Sequence, residues 1–240
     1  MVWGRSVTVE AVNAADLNRH VAGAAAAHQR LLGQLQPGDE SDSGGLTDEM
    51  VARDSLLPGW TVGHVLAHLV HNADSLVRLF KAAEVGEIAD QYPGGAAQRN
   101  ADIERDASAR ASEHIDRLRR SLYALESTWF EAKEAWVGHG RNPAGVLVPI
   151  AEVPLRRWRE VEVHSGDLGL AELACSGSKC WSDEYIRYDC SFLTMQYKAR
   201  GSMGLNDLPD AVRTAEPRYR LAWLLGRHIF DGVAPAGLMT

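Results

Sequence analysis

The sequence predicts a mainly α-helical protein, with a four-helix bundle over residues 1–170 and a small C-terminal extension, helical or α/β, over residues 171–240. Two observations favour this class. Four long segments carry apolar residues at helical spacing, and Gly- or Pro-containing breaks separate them. No segment shows the alternation of a half-buried strand. Long helices joined by short to medium connections pack as a bundle, so this is the expected architecture.

Each bundle helix has a local reason to form. The first is rich in Ala and Leu, which favour helices, and a Gly-, Ser- and Asp-rich loop over 37–45 follows it. The second starts after Thr61, whose hydroxyl suits an N-cap. The fourth starts near Pro154, because proline is favoured in a first helical turn. The predicted bundle helices cover residues 9–35, 61–80, 96–135 and 153–170.

The C-terminal extension has a different composition. A helix is predicted over 185–198, with its start at Ser182, and a second over 218–228. A loop over 201–209 separates them.

Composition excludes several classes of protein. With 45% apolar and 24% charged residues, the 240-residue chain has the balance of an ordinary globular protein. A net charge of -7 argues against a basic nucleic-acid-binding domain. Neither an export signal nor a long apolar stretch is visible, so we expect a cytoplasmic protein without a membrane partner. Three cysteines, Cys175, Cys180 and Cys190, do not form the framework of a disulfide-rich secreted protein.

Three histidines lie on the second predicted helix. At about 100° per residue, His64 and His71 point away from its apolar stripe, and His68 lies closest to the buried side. The ordinary structural interpretation of His68 is a boundary histidine that is hydrogen-bonded to a neighbour.

The fourth helix places polar residues on its inward face. Glu160 and His164 lie one turn apart on that face, whereas Arg159 and Glu162 point elsewhere. The apolar residues that define this face are Val153, Val161, Leu168 and Ala171. A carboxylate in such a place needs a partner, which leaves three interpretations open: a Glu–His hydrogen bond, an ion pair with an arginine such as Arg156 or Arg157, or a metal ion.

Together, these residues form a candidate metal site. In a bundle, inward side chains from different helices converge, so His68, Glu160 and His164 would give two imidazoles and one carboxylate. Three protein ligands with an open fourth position are typical of catalytic zinc. Two arginines, Arg99 and Arg227, are either ordinary surface charges or ligands for substrate carboxylates.

Two segments carry a resemblance to a known family. The segment LPGWTVGHVLAHL at 57–69, and REVEVH at 159–164 followed by DLG at 167–169, resemble the signatures of the mycothiol-dependent maleylpyruvate isomerase family. This family belongs to the DinB-like group of four-helix metalloproteins. Arg99-Asn100 and Leu225-Gly226-Arg227 also match in order and approximate position. Family members commonly have a C-terminal α/β domain, whereas the corresponding region here has a helical pattern.

The resemblance implies both site residues and an activity. It implies Zn²⁺, or another divalent metal, bound by His68, Glu160 and His164, with catalytic roles for Arg99 and Arg227 and a further role for Arg227 in binding the cofactor. The implied reaction is isomerisation of maleylpyruvate to fumarylpyruvate, in which the metal-bound thiolate of mycothiol adds to the cis double bond and leaves after bond rotation. The three cysteines would then be bystanders.

Two other functions stay open. The same site could serve a mycothiol or other low-molecular-weight thiol S-transferase that acts on another electrophile. It could also belong to a non-catalytic metal-binding protein, which a fourth protein ligand such as His139 or a cysteine would favour. In the enzymatic cases we expect a small anionic substrate, a low-molecular-weight thiol, and a monomer or homodimer.

Overall fold

The computed structural model describes residues 13–36, 44–200 and 207–238. The nomenclature of its helices and strands follows chain order: α1 (Ala14–Leu35), α2 (Asp48–Ala52), α3 (Val62–Glu84), α4 (Gly95–Asp106), α5 (Ala111–Glu131), β1 (His139–Arg141), β2 (Leu147–Pro149), α6 (Val153–Asp167), α7 (Asp183–Ala199), α8 (Asp210–Thr214) and α9 (Pro217–Leu224). Short 3₁₀ turns join several of them. The mainly helical class predicted from the sequence is confirmed.

The bundle consists of α1, α3, α5 and α6. Helix α1 packs mainly against α6 and also against α5, while α3 packs mainly against α5 and also against α6. Each helix therefore has two neighbours, which encloses a shared apolar core. Burial of large side chains on all four helices, such as Leu31, Leu69, Leu118 and Trp158, stabilises this arrangement. Helix α4 lies against α3 outside the ring.

Three of the four bundle segments form single helices where predicted, but their ends differ by a few residues: α1 begins at Ala14, α3 continues to Glu84 and α6 ends at Asp167. Thr61 accepts a hydrogen bond from the backbone N–H of His64, as an N-cap does. Helix α6 has proline in its first turn, as predicted. Part of the first predicted helix, residues 9–12, and most of the predicted loop at 37–45 lie outside the described residues.

The single helix predicted over 96–135 is wrong. The chain forms α4 and α5 instead, because Arg110 has an extended backbone and ends helical continuity. The new start is stabilised by Asp48, whose carboxylate accepts a hydrogen bond from the N–H of Ala111. No glycine or proline marks this break, and the helix start is held by the contact with α2 and by a local hydrogen bond from the N–H of Arg110 to Glu113.

A short hairpin also departs from the prediction of no strands. Strands β1 and β2 pair antiparallel between α5 and α6, with Gly140 opposite Val148. Each strand has only three residues, which is too short for an alternating pattern to be recognised. Asn142 closes the turn, because its side chain accepts hydrogen bonds from the N–H groups of Ala144 and Val146.

The described part of the C-terminal segment is helical. Ser182 caps α7 as predicted, and α7 packs against α9. The helix predicted over 218–228 is present as α9, which ends at Leu224. Its buried Trp223 and Leu193 of α7 belong to the same apolar core as the bundle. The division into units at residue 170 stays a prediction. Within the described ranges, no helix has the length and apolar character needed to span a membrane.

Candidate metal centre

Helix α3 places His68 at the site. Its first turn approaches the end of α4 closely: a Cβ on Gly63 would lie 1.9 Å from the carbonyl oxygen of Ala107, so only glycine fits. This contact draws α4, which carries Arg99, against α3. Trp60 lies just before α3, with its ring centroid 5.8 Å from that of His68. His68 itself is buried, as its helical position predicts.

The structure brings His68, Glu160 and His164 together. Glu160 Oε2 lies 3.0 Å from Nε2 of His68 and 3.3 Å from Nε2 of His164. One ligand atom from each residue lies within 4.8 Å of the other two. The two imidazole rings are nearly perpendicular, with centroids 4.7 Å apart. The carboxylate therefore lies between two imidazole nitrogens that face a common point.

The cluster combines a neutral imidazole, a carboxylate and a charged imidazole. Burial lowers the pKa of His68 to about 4, although the hydrogen bond with Glu160 opposes this shift. Burial also acts against ionised Glu160, but the hydrogen bonds with His164 and His68 prevail and hold its pKa well below the usual range. For His164, burial is outweighed by hydrogen bonds with Asp167 and Glu160, which raise its pKa to about 9. Glu160 and His68 are thus already in the protonation states that bind a metal.

Asp167 is hydrogen-bonded to the ring nitrogen of His164 that faces away from the cluster. Its Oδ2 lies 2.9 Å from Nδ1 of His164, which leaves Nε2 directed to the cluster. Arg227 donates from Nε and Nη2 to the two oxygens of Asp167, at 2.8 and 2.9 Å. A carboxylate behind a histidine is the usual means of fixing the orientation of a metal ligand. The structure thus places Arg227 beside the site, with its guanidinium bound to Asp167.

Arg99 contacts the cluster directly. Its Nη2 lies 3.1 Å from Nδ1 of His68, and its guanidinium carbon lies 5.9 Å from the centroid of Trp60. A position this close to the cluster fits the prediction that Arg99 binds an anion there, although the catalytic role itself stays a prediction.

The alternative of an arginine partner for Glu160 is not observed. Arg156 pairs with Glu152, and Arg157 donates to His28, Leu69 and Asn72 instead. Arg159 forms a bidentate pair with Asp189 of α7 at 2.6 and 2.8 Å. These contacts leave Glu160 to the two histidines.

The other histidines of α3 lie apart from the cluster. His64 bonds to Glu104, and His71 bonds to Asp106 at 2.8 Å, so both are held by acidic residues of α4. Both are only partly exposed because α4 covers that face of α3. The apolar pattern of α3 by itself gives no sign that α4 covers this face.

A cavity of about 450 Å³ opens beside the cluster. His68, Glu160 and His164 form part of its wall, and the hairpin contributes Asn142 and Val148. The remaining lining combines apolar side chains with arginines: Leu76, Leu79, Val153, Arg99, Arg156, Arg157 and Arg159. The prediction that Arg159 points away from the site is wrong: Arg159 lines the cavity while it is paired with Asp189 of α7. The cavity therefore suits a small anion with an apolar portion.

The donor set fits a catalytic-type metal ion. Two imidazoles and one carboxylate suit Zn²⁺, and Asp167 supplies the expected outer hydrogen bond. In the described part of the chain, no fourth histidine, cysteine or carboxylate joins the group. His139 is exposed on β1, and Cys175, Cys180 and Cys190 do not line the cavity. A closed structural site is therefore not formed by these residues.

Three features of the site were missed by the sequence analysis. Asp167 lies one turn beyond His164, so helical spacing alone could have indicated it. Arg157 shares the stripe of Glu160 and was considered only as its ion-pair partner. Tyr92 lies in a loop whose contact with the cavity has no periodic signal.

Comparison with known proteins agrees with this geometry. Residues 40–169 match the family described as the mycothiol maleylpyruvate isomerase N-terminal domain, a range that includes all three residues of the cluster. The chain is similar in fold to a solved structure described as the crystal structure of the mycothiol-dependent maleylpyruvate isomerase. The two are 22% identical with a TM-score of 0.70, over 88% of this chain and 89% of that chain.

A crystal structure of a mutant of the mycothiol-dependent maleylpyruvate isomerase, with one histidine replaced by alanine, matches with the same values. No curated protein matches the chain. The family match covers more than half of the sequence. The chain therefore belongs to the mycothiol maleylpyruvate isomerase N-terminal domain family.

Proposed function

We propose that the protein is a zinc-dependent cis–trans isomerase that converts maleylpyruvate to fumarylpyruvate with mycothiol as the thiol. The observation that supports this proposal most strongly is the three-residue cluster of His68, Glu160 and His164 in the wall of an arginine-lined cavity. An anionic substrate and a metal-bound thiol could meet in that cavity. The names of the structural relatives supply the particular substrate and thiol.

Two of the three candidate ligands already have the protonation state that metal binding requires. When bound by them, a divalent metal would supply the positive charge that keeps a thiol deprotonated at neutral pH. Glu160 is already ionised and His68 already neutral. His164 must lose a proton to become a ligand, so metal binding is expected to release about one proton per chain near pH 7.

Arg99 is suited to bind the substrate. It can donate to Nδ1 of His68 only while that nitrogen carries no proton. If His68 held a metal ion through its other ring nitrogen, its proton would lie on Nδ1 and this contact would be lost. The Arg99 guanidinium would then be free at the cavity to pair with a substrate carboxylate or with enolate charge that develops during the reaction.

Arg227 combines two roles in this proposal. Its ion pair holds Asp167, and through it His164, in position. Its side chain is 30% exposed, which leaves an edge available for the thiol cofactor or the anionic substrate. A cytoplasmic location and a monomeric or homodimeric state stay predictions.

The decisive experiment is a spectrophotometric assay with maleylpyruvate, with and without mycothiol and a chelator. Activity that requires both mycothiol and the metal supports the proposal. Glu160→Gln should abolish it, whereas the matched Glu104→Gln should not, because Glu104 bonds to His64 away from the cluster. Activity that survives in Glu160→Gln would refute it.

A thiol S-transferase is the second candidate, because the same cluster would hold the same thiolate. The stoichiometry of mycothiol distinguishes the two reactions. An isomerase regenerates the thiol, whereas a transferase consumes one thiol for each product molecule. Bound metal without either reaction would identify the non-catalytic alternative.

A further inference from the structure

Arg157 is a fully buried cation at the inner wall of the cavity. Its exposed fraction is 0%, and it lies among α1, α3 and α6. Its Nε donates to His28 at 3.1 Å, and its Nη1 donates to the carbonyl of Leu69 at 3.1 Å and the side chain of Asn72 at 2.8 Å. Burial lowers its pKa to about 10, which still leaves the guanidinium charged at neutral pH.

The charge of Arg157 has no direct counterion in the described structure. All three acceptors of its hydrogen bonds are neutral groups, because burial also lowers the pKa of His28, to about 4. Other arginines around the bundle do have carboxylate partners, namely Arg30 with Glu162, Arg159 with Asp189 and Arg227 with Asp167. A buried charge is costly, and Arg157, the most buried of these arginines, has no carboxylate in hydrogen-bond contact, because Glu160, Asp74 and Glu126 act on it only from a distance.

One nitrogen of the Arg157 guanidinium, Nη2, also lacks a hydrogen-bond partner among the described residues. The hydroxyl of Tyr92 is likewise buried and without a protein partner there. Both residues line the cavity whose wall includes the cluster of His68, Glu160 and His164. Five other buried polar atoms of the described residues also lack a partner, but these two donors belong to residues that line one cavity, where a ligand can pair with both.

The backbone beside Tyr92 is well fixed. The N–H of Gln91 donates to the carbonyl of Arg141 in β1, and the side chain of Gln91 donates to Ser75 of α3. Arg78 donates to the carbonyl of Gln91. These bonds anchor the segment to α3 and to the hairpin, so the Tyr92 ring is presented from a rigid support.

We propose that Arg157 and Tyr92 form a carboxylate subsite, in which Nη2 and the phenolic hydroxyl bind one carboxylate of a small dicarboxylate. The apolar lining, including Leu76, Leu79 and Val153, accommodates the carbon chain of that ligand. This inference rests on the proposed function for the identity of the substrate, but the missing counterion and the free hydroxyl do not depend on a metal.

The test measures binding of maleate to the purified, zinc-loaded protein by isothermal titration calorimetry. Tyr92→Phe removes only the hydroxyl, and Tyr123→Phe is the matched control because Tyr123 is exposed on α5 outside the cavity. A hydrogen bond to a charged group is worth enough to weaken maleate binding about tenfold when it is lost. Tyr123→Phe should bind maleate like the wild type.

Arg157→Lys provides the second variant, since lysine keeps the positive charge but lacks the planar guanidinium that carries Nη2. Its maleate affinity should fall by more than that of Tyr92→Phe. Saturating maleate should also raise the melting temperature of the wild type more than that of either cavity variant. Wild-type affinity in Tyr92→Phe, or no maleate binding by the wild type, would overturn the subsite.

The subsite and the isomerase activity can be tested independently of each other. Maleate binding is repeated with Glu160→Gln, in which the metal cluster is broken. Tyr92-dependent binding in that background supports the subsite even if no isomerisation is found. Isomerisation with an unchanged KM in Tyr92→Phe would overturn the subsite and leave the isomerase intact.

Discussion

Arg227 and Asp167 form a bidentate ion pair, at 2.8 and 2.9 Å, that links the C-terminal segment to the last turn of α6. Asp167 in turn bonds to Nδ1 of His164. A residue outside the bundle thus fixes the orientation of a candidate ligand within it.

Asp167→Asn is expected to weaken metal binding. The amide keeps the shape but weakens the hydrogen bond that holds the ring proton on Nδ1 of His164 and leaves Nε2 directed to the cluster, and loss of such a partner weakens metal binding about 10–100-fold. Competition with a chromophoric chelator measures the affinity. Asp106→Asn is the control, because Asp106 also bonds to a histidine, His71, but that histidine is not in the cluster. Equal affinities in the two variants would contradict the role of Asp167.

Acid should destabilise the fold through His28. Burial lowers the pKa of His28 to about 4 in the folded protein, whereas the unfolded chain has the ordinary value of about 6.5. Between these values the unfolded state binds the proton and the native state does not, so stability falls as the pH decreases below about 6.5.

Urea unfolding at pH 7 and pH 5 measures this effect. Between pH 7 and pH 5, the free energy of unfolding of the wild type should fall by about 2 kcal/mol more than that of His28→Gln. Glutamine can still accept from Arg157 and donate to Glu126, the two partners of His28, but it does not titrate. The same pH slope in both proteins would show that His28 is not the cause.

Gly23 should tolerate no side chain. A Cβ there would lie 2.6 Å from the indole of Trp158, at the contact between α1 and α6. Gly23→Ala therefore forces the core apart, with an expected loss of about 1–3 kcal/mol in the free energy of unfolding. Gly33→Ala, on the same helix with open space around it, should instead gain about 0.5–1 kcal/mol. Thermal and urea unfolding compare the two variants.

The cysteines should be dispensable for thiol-dependent activity. Burial raises the pKa of Cys175 to about 12 and of Cys180 to about 11, so neither forms a thiolate at neutral pH. Cys190 is also buried, and burial raises its pKa. The triple variant with alanine at these three positions should keep its mycothiol-dependent rate in the isomerisation assay. Loss of that rate in a folded triple variant would assign the reactive sulfur to the protein.

The candidate ligands could be predicted because helical periodicity alone orients them. The inward face of one helix selects His68, and the one-turn spacing of Glu160 and His164 places both on one face of another. The structure brings all three together. A single sequence carries this information because each residue is placed by its own helix.

Features that depend on contacts between elements were not predictable. The break before α5 is capped by Asp48, which is 63 residues away from Ala111. The approach of Tyr92 to the cavity depends on the pairing of its segment with β1. The strands of the hairpin are too short to show their period. In the first two cases the stabilising contact comes from residues distant in sequence, which local patterns do not record.

The hairpin lies at the cavity but carries none of the candidate ligands. Asn142 and Val148 form a wall of the cavity, while the candidate ligands lie on α3 and α6. A turn of this kind accepts insertions and exchanges at little cost to the bundle. If the proposed function holds, related chains could therefore change the shape of the cavity at this turn while the candidate ligands and the arginines of α4 and α6 keep their positions.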